Sequence, residues 1–423
     1  REMRDEWSKI QGRFIDLPIN VAGEEQIDLL SRAIISKHKP EKTTDLSSQI
    51  ASVVKKNKPG TSENLEQLLD TCWPLHPLVA CLLGPISRRR FLAMGAGAAA
   101  LLSTRSLQGR PPSWHAWRAA PSLPAAAQEI YCATWNGQIV VAGGLRSAAG
   151  SSRRFTTLSQ TSLFDPGANA WTHGPDLPAP RHHIVLAEAD GTVYGFGGFV
   201  GETLRAGFQF RNDVYAFDGE QWARIGAMPT PLGETVALST GGRIHLVTGS
   251  LHPTDGESQG AAGTHLVYDP DADAWSIARP APTPRSSATG AVIDGALYVA
   301  AGRRTDDGIT NLGVLERYDP EADSWTALRP LPQPSGGLAG AALEGRLYVF
   351  GGEYFSEGGG VYEHTWAYDP EADTWSDMPP MPTPRHGLAG LALDGRIYAV
   401  GGNTAAGIGA ATSPVVETFA PAH

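Results

Sequence analysis

Apolar and small residues return along this chain at a period far longer than that of a helix or strand. Six apolar runs end on small residues: "IVVAGG" at Gly144, "VYGFGG" at Gly198, "IHLVTGS" at Ser250, "LYVAAG" at Gly302, "LYVFGG" at Gly352 and "IYAVGG" at Gly402. Successive ends lie 54, 52, 52, 50 and 50 residues apart. A fixed period of this size marks a repeat architecture. Each run is rich in β-branched and aromatic residues, which predicts a buried strand. A turn pair precedes every run: Asn136-Gly137, Asp190-Gly191, Gly241-Gly242, Asp294-Gly295, Glu344-Gly345 and Asp394-Gly395. Most of these pairs tolerate the positive φ of a two-residue hairpin, so each predicts two antiparallel strands.

A polar stretch with one aromatic at each end follows: "YDPDADAW" at Tyr268–Trp275, "YDPEADSW" at Tyr318–Trp325 and "YDPEADTW" at Tyr368–Trp375. "FDPGANAW" at Phe164–Trp171 and "FDGEQW" at Phe217–Trp222 are weaker copies. Pro fixes φ and Asp can accept from its own backbone, so this stretch predicts a turn between a third strand and a fourth. Four short strands in about fifty residues make a propeller blade. The glycine doublet, the Tyr or Phe and the Trp beyond the turn resemble the kelch family from Pro111 to the end, about three quarters of the chain. Blades three and four depart at the doublet, with Gly249-Ser250 and Ala301-Gly302. The predicted fold class is all-β, a six-bladed kelch β-propeller. Its sixth unit ends at "VVETFAPAH" without a Trp, while "WRAAPSLP" at Trp117–Pro124 matches "WTHGPDLP" at Trp171–Pro178. The strand around Trp117 is therefore expected to complete the last blade and close the ring.

Charge divides the chain where the pattern does. All seven Lys lie at or before Lys58; residues 1–110 carry a net charge of +4 and residues 111–423 carry −14. An acidic, lysine-free body excludes the basic stripe of a nucleic-acid binder. Only Cys132 falls within it, so its stability comes from burial without an internal disulfide. No apolar run reaches the length of a membrane span, so no transmembrane anchor is expected.

Three segments follow: residues 1–86, a mostly helical or disordered N-terminal fragment; residues 87–110, a signal-like segment and linker; and residues 111–423, the propeller. Helical spacing in "AGEEQIDLLSRAI" and "SENLEQLLDTC" carries the helical expectation for the first. The stretch "CWPLHPLVACLLGPISRRRF" resembles a fragment of large prokaryotic ATP-binding proteins, yet it holds no phosphate-binding glycine loop. With Arg1 at its head, this part reads as an interior fragment foreign to the propeller. Ser87-Arg88-Arg89-Arg90-Phe91-Leu92 and the Gly/Ala-rich run behind it resemble a twin-arginine export signal. That resemblance implies a periplasmic or extracellular propeller.

Candidate chemistry gathers in the loop leading into each blade. Counting back from the doublets aligns Ala127, Arg181, Gly233, Arg285, Ser335 and Arg385, which puts Arg on alternate blades. The next column reads Gln128, His182, Glu234, Ser286, Gly336 and His386. In kelch proteins this loop and the one after the doublet border the same face, and the second contributes Arg146, Phe199, Arg303, Arg304, Glu353, Tyr354 and Asn403. One reading is a pocket in which Arg181, Arg285 and Arg385, with Arg146, Arg303, Arg304, Glu353, Tyr354 and Asn403, hold an anionic ligand through planar guanidinium forks. The other is that the loop arginines bond carbonyls between blades.

No histidine or cysteine spacing suggests a metal, and no cofactor is expected. Tyr131 beside Cys132 resembles the copper-radical oxidases that also use kelch propellers, but those need a Tyr–Cys cross-link and two His ligands in a seven-bladed ring. The expected function is an exported, monomeric binding module for a protein, a glycan or a small carboxylated ligand. The alternative resembles the six-bladed periplasmic kelch epimerases that interconvert anomers of sialic acid, with Glu234 and His182 or His386 as acid and base.

Overall fold

The computed structural model describes residues 116–147, 155–201, 208–251, 260–305, 308–408 and 411–420. Contacts divide the chain into units Arg1–Pro111 and Pro112–His423, and the described residues all belong to the second. The helical expectations for residues 1–86 and the twin-arginine-like run lie outside the described residues.

Six antiparallel sheets make six blades. Blade I runs Cys132–Trp135, Gln138–Ala142, Thr161–Asp165 and Ala170–Gly174, each strand paired to the next. Blades II to V repeat this order behind first strands Val185–Ala189, Val236–Thr240, Thr289–Ile293 and Ala339–Leu343. Blade VI joins Ala389–Leu393, Arg396–Val400 and Val416–Ala420 to the N-terminal strand Ala116–Ala120, with Trp117 opposite Phe419. The first strand of every blade touches the first strands of both neighbours, so the ring closes around one axis.

The hairpin pairs behave as their chemistry requires. Asn136 and Gly137 have φ of 47° and 75°, and the other five pairs are positive at both residues as well. In the Asp-Pro turns the carboxylate caps the backbone, as where Asp165 Oδ1 accepts from Gly167 N at 2.7 Å and Ala168 N at 3.0 Å. Six Trp take equivalent places, opposite Phe164, Phe217, Tyr268, Tyr318, Tyr368 and Phe419 on the third strands. The indole N–H groups of Trp117, Trp171, Trp222, Trp325 and Trp375 reach backward to the preceding blade. Trp222 Nε1 donates to Thr161 Oγ1 at 3.0 Å, Trp325 to Arg279 O at 2.8 Å and Trp375 to Arg329 O at 2.8 Å. An amphipathic ring thus buries its apolar body between blades and satisfies its polar tip there.

Backbone bonds join the blades near the axis. The second residue of each doublet donates to the next blade: Gly144 N to Arg181 O, Gly198 N to Leu232 O, Gly249 N to Arg285 O, Gly302 N to Ser335 O, Gly352 N to Arg385 O and Gly402 N to Ala127 O, all at 2.7–3.0 Å. This register corrects the sequence alignment of blade III by one residue. Its doublet is Thr248-Gly249, with φ of 63° and 122°, in place of Gly249-Ser250. Gly249 follows Gly242 by the same seven residues that separate turn and doublet in the other blades, and the strand Arg243–Leu251 runs on past it to pair with Leu232–Gly233 as well as with its hairpin partner.

Candidate binding site at the axial mouth

The corrected register regroups the loop residues. Bridges Gln128↔Leu145, His182↔Phe199, Ser286↔Arg303, Gly336↔Glu353 and His386↔Asn403 are matched in blade III by Gly233↔Ser250. Leu232, and not Gly233, therefore stands level with the arginine column. Glu234 falls one place further on, beside Glu129, His183, Ser287, Gly337 and Gly387. All six have φ between 51° and 68°. Most side chains avoid that region, so a conserved backbone demand is met here at some cost in strain.

Those six residues form an innermost belt held by backbone bonds. His183 N donates to Glu129 O (3.0 Å), Glu129 N to Gly387 O (2.7 Å) and Gly387 N to Gly337 O (2.9 Å). Gly337 N donates to Ser287 O (2.9 Å) and Ser287 N to Glu234 O (3.2 Å), which carries the belt from blade II round to blade III. Because the belt residues share one backbone position, the side chains of Glu129, His183, Glu234 and Ser287 meet at the axis.

The meeting is electrostatic. His183 Nε2 lies 3.0 Å from Glu129 Oε2 and 3.7 Å from Glu234 Oε1. Ser287 Oγ donates to Glu234 Oε2 at 2.5 Å. Burial works to raise the pKa of Glu129, but the His183 charge and hydrogen bond, with His386 and Arg303 behind them, hold it well below the usual carboxylate range. Burial works against charge on His183 too, and the two carboxylates overcome it and raise its pKa. The neighbouring ring is pushed the other way: burial and the His183 charge keep His182 neutral. Their Nδ1 atoms are 2.7 Å apart, so an imidazolium at 183 donates to both Glu129 and His182. Beside this chain, Arg303 Nη1 pairs with Glu353 Oε1 at 2.7 Å, and Glu353 Oε2 accepts from Gly407 N at 2.6 Å. The Tyr131 hydroxyl is held protonated by burial and by Glu234 and Glu129.

Comparison with known proteins bears on the architecture. The KLHDC2/KLHL20/DRC7 Kelch-repeats domain matches residues 264–402. Kelch-like protein 40 of Mus musculus is 29% identical over 203 residues, which cover 44% of this chain and 31% of that protein. Beta-scruin of Limulus polyphemus is 27% identical over 179 residues, or 42% of this chain and 19% of its own length. The chain thus spans less than a third of these curated relatives. A solved structure, that of YjhT, superposes with a TM-score of 0.57 at 17% identity, over 70% of this chain and 95% of that one. The propeller of this chain is built of kelch repeats.

Within the kelch propeller the three alternating arginines do not face the axis. Arg285 is fully buried; its Nη1 reaches Glu316 Oε2 at 2.6 Å and Thr283 O at 2.7 Å, and its Nη2 reaches Val299 O at 3.1 Å. Arg385 repeats this with Glu417 Oε2 at 2.7 Å, Thr383 O and Ala399 O. Arg181 pairs with Asp213 and the Tyr215 hydroxyl. Each guanidinium is spent on its own blade's third strand, so the expectation of an anion held by these three is corrected. Arg146 and Arg304 are exposed on the mouth loops, Tyr354 is half-buried, and Asn403 donates to Gly407 O at 2.7 Å. Glu353 and Arg303 do reach the axial cluster. Glu234 does as well, but its histidine is His183, and His182 and His386 stand outside that pair. Glu129, His183 and Ser287 escaped the sequence reading because they sit one place beyond the column it followed. Among the described residues no His, Cys, Asp and Glu side chains are grouped to hold a metal.

Proposed function

We propose that this chain is an exported kelch propeller that binds a protein partner at the axial mouth, without catalysing a reaction. The observation that supports this is the convergence of six blade loops on one charged centre whose carboxylates, Glu129 and Glu234, keep 13% and 17% of their side-chain surface open. A rigid ring that presents adaptable loops is a platform on which polar groups orient a partner. The experiment compares binding to peptide and glycan arrays by the wild type, by a mouth variant Arg146→Glu/Arg304→Glu, and by Arg346→Glu at a hairpin on the other end of blade V. Peptides retained by the wild type and by Arg346→Glu, and lost by the mouth variant, are the expected result. Equal loss in both variants, or retention of glycans alone, overturns the reading.

Export is part of the same proposal, supported by Ser87–Leu92. Changing Arg88, Arg89 and Arg90 to Lys should trap a reporter carried behind residues 87–110 inside the cell. Delivery that survives the change removes export from the proposal.

One observation favours a second reading, an isomerase of acidic sugars: two carboxylates stand within 3.7 Å of the His183 ring nitrogen on the axis. Ring opening at an anomeric centre needs a proton delivered to the ring oxygen and one removed from the anomeric hydroxyl. His183 and Glu234 have the matching charges. Anomer exchange of sialic and uronic acids, followed by proton NMR, tests this; rates no faster than buffer discard it.

A further inference from the structure

Blade III carries two histidines at positions where the other five blades have none. His245 stands on its second strand where the others have Val140, Tyr194, Tyr298, Tyr348 and Tyr398. His265 stands on its third strand where they have Thr161, Val214, Leu315, Thr365 and Val416. Both are buried, at 5% and 1% exposure, on the side that meets blade IV. There Tyr318 lies 4.5 Å and Trp325 5.7 Å from the His265 ring, and Tyr318 lies 5.9 Å from His245.

Hydrogen bonds give this pair a direction. His265 Nδ1 is 3.0 Å from Arg279 O, which only accepts, so that nitrogen carries a proton. Nε2 of the same ring is 2.9 Å from His245 Nδ1, and one proton serves that gap. With both rings neutral, His245 donates to His265 and His265 donates to Arg279. The same carbonyl accepts from Trp325 Nε1 at 2.8 Å, while Arg279 N donates to Asp323 Oδ1 at 2.8 Å and Arg279 Nε to Asp323 O at 2.7 Å. Arg279 is thus a clasp between blades III and IV, and His265 holds its carbonyl from the blade III side. Arg329 makes the same clasp with Asp373 and Trp375 between blades IV and V, with Tyr298 and Leu315 in place of the histidines.

Charge is costly at this place. Burial, then His265 and Arg243, push His245 down to about 4. Arg243 stands two residues ahead on the same strand and pairs with Asp269 at 3.3 Å. Burial lowers His265 as well, against the pull of the Arg279 carbonyl and Asp323. A second proton would set two N–H groups head to head across 2.9 Å. From blade IV the facing groups are Asp323 and the Tyr318 hydroxyl, which donates to it at 2.7 Å. The Arg279 N–H and that hydroxyl hold Asp323 below the usual carboxylate range, so it stays charged while the histidines titrate. Both histidines are lower folded than the ordinary 6.5, so their contribution is complete above 6.5 and is lost as pH falls below it. His183 at the axis is shifted the other way and gains from acid.

We propose that the seam between blades III and IV is an acid-opened joint: a proton taken up from solvent by the His245–His265 pair frees the Arg279 clasp, and blade III parts from blade IV before any other seam yields. The inference stands apart from the binding reading, because neither histidine belongs to the mouth loops.

The test is hydrogen–deuterium exchange of the full chain at about pH 7.5 and about pH 5.0, corrected for the intrinsic pH dependence of exchange. Mass spectrometry reads two fragments, residues 274–281 with the Arg279 clasp and residues 324–331 with the Arg329 clasp. A shift of His245 from 6.5 to about 4 favours the open seam by roughly tenfold or more at the lower pH, so exchange in the first fragment should accelerate by that factor relative to the second. In His245→Tyr/His265→Leu, which gives blade III the residues of blade IV, the two fragments should respond alike. Equal acceleration of both fragments in the wild type overturns the joint, as does acceleration of the first that survives in the double variant. Loss of protection first at residues 181–188, where burial also depresses His182, moves the acid-sensitive place to the mouth and overturns it too. Should the double variant not fold, the two wild-type fragments decide alone.

Discussion

Arg385 and Glu417 show what a charge costs inside a blade. Both are buried, and the guanidinium is bound on four sides, by the carboxylate and by the carbonyls of Thr383, Ala399 and Gly401. Removing one partner strands the other without water, which costs about 3–5 kcal/mol, while exchanging both for apolar residues of similar volume is close to neutral. Arg385→Met should therefore lower the melting temperature sharply, and Arg385→Met/Glu417→Leu should recover most of the loss. Thermal unfolding of both variants checks this; a double variant no better than the single one would place the loss elsewhere. Blade V already lives without such a pair, having Ser335 and Trp366 at the two equivalent positions, and a small cavity opens beside them. At this scale the sequence was only half legible. The alternation of Arg could be read, but its acidic partners lie about thirty residues away on another strand. Glu316 and Glu417 acquire meaning only when register puts them beside the loop. Glu129 and His183 were hidden for a different reason: they sit one place beyond the column of loop residues that was followed, and taking Gly249-Ser250 as the doublet of blade III kept Glu234 out of their row.

Strands and turns were legible because their signals are local. An Asn-Gly or Asp-Gly pair, an Asp-Pro turn and a Trp five residues on each act within a few positions, so no distant partner is needed to recognise them. The long second strand of blade III lacked such a signal, and it is where the reading slipped. The element whose behaviour is easiest to test is Ala116–Ala120. Trp117 packs edge-on to Phe350 at 5.3 Å and tilted against Phe419 at 5.4 Å, and its Nε1 donates to Pro379 O at 3.1 Å. Truncating a buried Trp costs about 3–5 kcal/mol. Trp117→Ala should lower stability in urea by that order, and Trp117→Phe by much less, since the aromatic contacts persist without the indole donor. If Trp117→Ala leaves the midpoint unmoved, the strand does not hold blade VI in solution.

The closed ring as a whole is tied by one titrating centre that spans blades I, II and III. His183 binds its proton more tightly folded than unfolded, so its contribution is complete below the ordinary value of 6.5 and is lost as pH rises through the folded value. Glu129 is shifted down, so its contribution is present above the ordinary value of 4.5 and is lost only as pH falls through the folded value. The two overlap between about 4.5 and 6.5. Melting temperature should therefore decline as pH rises above that window, and His183→Gln should flatten the decline. An unchanged slope in the variant would assign it to other groups. The last blade carries a consequence of another kind, for biosynthesis. Trp117 meets Phe419, and the chain between them must be made before they can pair. At about 5–20 residues per second, some 300 residues keep the first strand waiting for roughly 15–60 s on the ribosome. Towards the end of that interval five blades are complete, the ring is an open arc, and both of its ends are bare to chaperones and to other nascent chains. A message cut before the codons for Val416–Ala420 yields such an arc permanently, so closure of the ring waits on that one strand.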